Sequence, residues 1–75
     1  MSPALPVVSG VETLRALSRA EFFQVSQRGS HVKLRNVDGN TVIVPVHSEL
    51  APGTLRSILR QANLFVDLFL ELLRY

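Results

Sequence analysis

The sequence predicts a small α+β domain: a helix, a three-stranded antiparallel sheet, a second helix and a short third one. Three observations carry this reading. Apolar residues recur at helical spacing before residue 20 and again after residue 54. Between those stretches the chain alternates apolar and polar side chains with a period of two. Two glycine-bearing turns, Gly29-Ser30 and Asp38-Gly39, divide the alternating part into three strand-length pieces.

The elements follow in order. Residues 1–8, with Pro3 and Pro6, read as an extended lead-in. Ser9-Gly10-Val11-Glu12 is a capping-box pattern, in which a hydroxyl and a carboxylate satisfy the first free helix amides. It opens a helix over about Val11–Ala20, with Val11, Leu14 and Leu17 as the apolar stripe. In Phe22–Arg28, Phe23 and Val25 alternate with Gln24, Ser26 and Arg28, which predicts a strand with those two apolar side chains on one face. His31–Arg35 repeats the pattern, Val32 and Leu34 against His31, Lys33 and Arg35. Asp38-Gly39 supplies the positive φ of a tight hairpin turn. Thr41–Val46 is β-branched apart from Pro45, whose missing N–H suits a sheet edge or a strand end. Pro52-Gly53-Thr54 opens the second helix, with Thr54 as its cap. Leu55, Ile58, Leu59 and Ala62 form its stripe, and Arg56 and Arg60 stand opposite. Asn63 is a left-handed stop, and Phe65–Leu73 is the last helix.

Composition bounds the function. At 75 residues the chain has room for one domain, spanning 1–75, and such a domain buries only roughly 60% of its unfolded surface. The absence of cysteine excludes disulfides and thiolate metal sites and favours a reducing compartment. No basic segment followed by an apolar run opens the chain. The apolar stretch Leu64–Leu73 is half a membrane span and contains Asp67 and Glu71. The expectation is a cytoplasmic protein with no membrane association. No metal-ligand spacing or phosphate-binding glycine loop is present, so neither metal nor cofactor is expected. The formal charge of +2 is uneven: residues 27–60 hold Arg28, Lys33, Arg35, Arg56 and Arg60 against Asp38 and Glu49, a local surplus of three. Such a surface is compatible with nucleic acid.

The chemistry centres on His31. Alternation puts it on the polar strand face with Lys33 and Arg35. An imidazole can give or take a proton near neutrality, and adjacent cations attract a phosphodiester and stabilise the charge built up during its cleavage. Pattern alone leaves a second reading open, an ordinary polar residue on a solvated sheet. His47, at the end of the third strand, is either the complementary acid or a loop residue. Arg56 and Arg60 either hold phosphate with the free helix amides or form a solvated helix face. The apolar surplus of the tail, with Phe65, Val66 and Phe69, is either core or an interface for a partner or a second copy.

Taken together, Gly29-Ser30-His31 after a strand, Asp38-Gly39, Val44-Pro45-Val46-His47 and the run Gly53–Ala62 resemble the HicA (YcfA-like) toxin family, in order from about Pro6 to Leu73. The resemblance implies a double-stranded-RNA-binding-domain-like fold. It also implies a metal-independent endoribonuclease that cleaves mRNA with a single catalytic histidine and is neutralised by a HicB-type antitoxin. His31 takes the position of that family's catalytic histidine within Gly29-Ser30-His31. RNA contacts are then expected from Gly29, Ser30, Arg28, Lys33, Arg35, His47, Arg56 and Arg60, and partner or homodimer contacts from Phe65, Val66 and Phe69. Several positions depart from the family pattern. Glu21 and Asn63 replace glycines, Val37 replaces a proline, and Asn40 replaces a base. Phe65 replaces the serine or threonine that would cap the last helix, a loss of about 1 kcal/mol. The alternative function is a non-catalytic RNA-binding or protein-interaction module of the same fold, favoured by the modest net charge.

Overall fold

Helix α1, Gly10–Arg19, begins where local chemistry demands it. The Ser9 hydroxyl accepts the Glu12 N–H at 3.0 Å, and the Glu12 carboxylate accepts the Ser9 N–H at 2.8 Å. These bonds, the Ser9 backbone N–H first, hold the Glu12 carboxyl below the usual carboxylate range. The computed structural model describes residues 4–75, so Pro3 of the lead-in lies outside the described residues. From Val8 the lead-in joins the fold: its side chain is buried and its carbonyl accepts the Leu50 N–H at 2.8 Å.

The buried face of α1 differs from the expected stripe. Gly10, Thr13, Ala16 and Leu17 face inward, Leu14 is half-buried, and Val11 is exposed. Small side chains let the helix lie close to its neighbours, and close approach decides the face here rather than hydrophobicity alone. Thr13 is fully buried at no polar cost, because its hydroxyl donates to the Ser9 carbonyl at 2.9 Å.

After Ala20 the chain turns through Glu21 at φ 67°. The left-handed region costs a β-carbon-bearing residue about 1–2 kcal/mol, which glycine avoids while losing about 0.5–1 kcal/mol more chain entropy on folding. Glu21→Gly is therefore expected to raise stability modestly, by about 0.5–1 kcal/mol. A thermal melt should rise by several degrees.

The sheet has the order β1-β2-β3, antiparallel throughout, with β1 Phe23–Arg28, β2 His31–Arg35 and β3 Thr41–Pro45. Val32 and Leu34 pair across to Val44 and Val42 on the inner face, and all four are buried. Strand β1 corrects the sequence reading. Phe22, just before it, enters the core, whereas Phe23 and Val25 are exposed. The register slips between Gln24 and Ser26, leaving Val25 unpaired. The inner-face residues Gln24 and Gln27 are exposed as well, so the helices cover β2 and β3 and leave β1 projecting.

Helix α2, Pro52–Ala62, buries Leu55, Ile58, Leu59 and Ala62 as predicted. Its cap is Ala51 rather than Thr54, without a side-chain bond. Pro52 makes this workable, because it sits at the first helical position with its φ preset and no amide to satisfy. Asn63 ends the helix in the left-handed region, φ 58°, and the Leu64 N–H closes on the Leu59 carbonyl at 2.9 Å. Helix α3, Val66–Leu73, starts at Phe65 with no side-chain cap, as the missing serine or threonine foretold. Arg19 donates to the Leu72 carbonyl at 2.6 Å, tying α1 to the C-terminal turn of α3. The observed order is the predicted α+β one, consistent with a double-stranded-RNA-binding-domain-like fold. No helix among the described residues is long and apolar enough to cross a membrane.

Candidate active site

The outer sheet face is built by a two-residue turn. Gly29 takes φ 59° at the first central position between Arg28 and His31, the placement a type II′ hairpin reserves for glycine. The turn sets Arg28 directly opposite His31, and Ser26 lies opposite Lys33. Because Val32 and Leu34 point inward, His31, Lys33 and Arg35 point outward. Ser26, Arg28, His31, Lys33 and Ile43 line one hollow of about 370 Å³.

Strand β3 brings the second histidine. The Ile43 N–H points away from β2 and donates to Gln61 Oε1 at 3.3 Å, whereas the Val46 N–H points toward β2 and donates to the Ser30 carbonyl at 2.6 Å. Pro45, between them, stands opposite His31 with its nitrogen on the outer side, where the ladder needs no donor. The ladder thus continues past the proline, and His47 comes round to His31. Their ring centroids lie 6.4 Å apart with planes at 77°. Both side chains are open to solvent.

Gly10 fixes this strand end from behind. Its N–H donates to the His47 carbonyl at 2.9 Å. A β-carbon on Gly10 would run into the Pro45 carbonyl oxygen and lie 2.7 Å from the Val46 Cα. These are backbone atoms, which cannot swing aside. In the sequence Gly10 is only a spacer within the capping box, because what packs against it comes from distant parts of the chain. Gly10→Ala is expected to displace the segment carrying His47 and to cost about 1–3 kcal/mol. Chemical denaturation measures the cost, and the ring resonances of the two histidines report the displacement.

The other sequence-predicted residues divide into two groups. Gly29, Ser30, Arg28 and Lys33 gather with His31, and Arg35 lies at the far end of β2, where its Nε donates to Thr41 Oγ1 at 3.4 Å. Arg56 and Arg60 do not join them. They stand on the exposed side of α2 and line a separate hollow with Leu64, Phe65 and Val66. Arg60 is in the last turn of the helix, where it complements the carbonyl end and is remote from the free amides at the start. The tail triad also separates. Phe65 is 84% exposed and Val66 is half-buried, but Phe69 is fully buried in the core. Phe69 therefore offers no surface to a partner, which corrects the expectation for that residue. Among the described residues, no group of three His, Cys, Asp or Glu side chains is placed to hold a metal ion.

The arrangement can do proton chemistry on an anion. It offers two imidazoles at one end of an open face, flanked by a guanidinium and an ammonium. A family model described as the HicA toxin of bacterial toxin–antitoxin pairs matches residues 10–64, from the first residue of α1 to just past α2. That stretch contains the whole sheet and both histidines. No curated protein matches the chain.

Proposed function

Because the chain belongs to the HicA toxin family of bacterial toxin–antitoxin systems, we propose that it is an endoribonuclease that cleaves mRNA, with His31 at its catalytic centre. The observation that carries this reading is the pairing of His31 with His47, 6.4 Å apart, on a face lined by Arg28 and Lys33. One imidazole takes the proton from a ribose 2′-hydroxyl. The freed oxygen attacks the adjacent phosphorus, the bond from phosphorus to the 5′-oxygen breaks, and the second imidazole protonates that leaving oxygen. The products are a cyclic phosphate and a 5′-hydroxyl. Arg28 and Lys33 hold the phosphate and stabilise its growing charge. The step uses proton transfer and side-chain cations throughout, so EDTA should leave the rate unchanged.

Toxin–antitoxin membership implies an antitoxin partner. A HicB-type antitoxin that covers the outer sheet face would mask the base and its cations together, blocking RNA and chemistry at once. Charge reversal at Lys33 and Arg35 should then weaken the toxin–antitoxin complex, as measured by calorimetry. Paired expression tests the function itself. The wild type should arrest growth, His31→Ala should not, and co-expressed antitoxin should restore growth. A wild type that is harmless without antitoxin would favour the binding-only alternative.

A further inference from the structure

The outer sheet face carries a feature that the proposed proton chemistry does not use. Phe23 stands directly opposite Arg35, so it shares the face of Arg35, Lys33 and His31, and it is 59% exposed. It does no core work, since its neighbour Phe22 fills that role. Ile43, opposite Lys33, is 40% exposed and extends the apolar surface toward the histidines. None of the three strands contains an acidic residue, so the face is cationic and apolar together.

That combination fits single-stranded nucleic acid. A phenyl ring held on a rigid sheet offers a π-face to an unpaired base, and flanking cations neutralise the phosphates on either side. A duplex hides its base faces and could not use the ring. His31 and Arg35 are four residues apart, about 14 Å along an antiparallel strand. An RNA strand with its reacting phosphate at His31 therefore reaches Phe23 within a few nucleotides.

Resting on the endoribonuclease reading above, the geometry points to Phe23 as a stacking platform for one base of a single-stranded RNA substrate, a few nucleotides from the bond that is cut. Lys33 and Arg35 carry the phosphates between. The ring positions the strand and selects unpaired RNA; it takes no part in proton transfer.

The test is equilibrium binding of a short single-stranded oligoribonucleotide to the His31→Ala protein, with Phe23 varied. Phe23→Ala is expected to weaken binding by roughly tenfold or more, and Phe23→Trp to restore it. Deleting the base at one position of the oligonucleotide should weaken binding to the Phe23 protein by the same factor and do nothing further to the Phe23→Ala protein. Unchanged affinity in Phe23→Ala, no recovery with tryptophan, or equal base-deletion losses in both proteins would overturn the proposal. Loss of antitoxin binding with RNA affinity unchanged would also overturn it, making the ring a protein contact. Cleavage by the otherwise wild-type chain is read separately. A chain that cuts RNA but ignores Phe23 loses the platform and keeps the nuclease. One that binds RNA through Phe23 and cuts nothing keeps the platform and loses the nuclease.

Discussion

His31→Ala is expected to leave a folded protein that still binds RNA but cuts it about 10²–10⁴-fold more slowly, the range that a positioned general acid or base contributes. Folding survives because the imidazole is exposed and removing it opens no cavity. Binding should survive because Arg28, Lys33 and Arg35, the proposed phosphate contacts, are untouched. The loss therefore falls on turnover, with KM nearly constant, as expected when an interaction belongs to the transition state. His47→Ala provides the control for the pairing. If the two rings act as base and acid in one step, the double variant is scarcely slower than the worse single variant. Multiplying losses would mean that the rings act independently, and would leave His31 without its partner.

The largest effect on stability comes from Phe69→Ala. The ring is 0% exposed and is among the largest fully buried side chains. Removing such a ring costs about 3–5 kcal/mol. Small proteins hold only roughly 0.05–0.15 kcal/mol per residue in total, so the loss takes a large share of this chain's stability and should lower its melting temperature by more than about 10 °C. Phe65→Ala, four residues earlier, should lie within about 0.5 kcal/mol of the wild type, because its ring is 84% exposed. Circular dichroism melts of the two variants measure the contrast. Equal losses would contradict the assignment of one ring to the core and the other to the surface. If Phe65 and the hollow beside it contact a partner, Phe65→Ala will show it in complex formation and not in the melt.

These two phenylalanines also show where sequence reasoning stopped. A spacing of four puts residues on one helical face, yet Phe65 precedes the helix in extended backbone, φ −78° and ψ 154°, and so escapes the rule. Features set by local chemistry were legible: the Ser9–Glu12 box, the Asn63 stop and the Gly39 turn, which has φ 87°. Features set by coverage were not. Alternation in β1 separates two faces but does not say which is covered, and the slip at Val25 disturbs it further. Likewise, hydrophobicity favoured Val11 for the inner face of α1, where close packing requires Gly10, Thr13 and Ala16.

The site was half legible. His31, Arg28 and Lys33 could be grouped from alternation and the Gly29-Ser30 turn. The nearness of His47 needed the β2–β3 register. A signal for it exists in the sequence: a hairpin turning at Asp38-Gly39 that pairs Arg35 with Thr41 must also pair His31 with Pro45, two residues before His47. Arg56 and Arg60 stand exposed on one face of α2, as their spacing of four predicts. Their distance from the free amides follows from where α2 begins, which depended on Pro52 rather than Thr54.

The central claim is that the His31 face cleaves RNA by internal attack of the 2′-hydroxyl. The most direct measurement is the chemistry of the product ends after purified protein cuts a single-stranded RNA in EDTA. Cyclic phosphate is expected at one new end and a 5′-hydroxyl at the other, both forming about 10²–10⁴-fold more slowly with His31→Ala. A 5′-phosphate with a 3′-hydroxyl, or the same products at the same rate from His31→Ala, would contradict it.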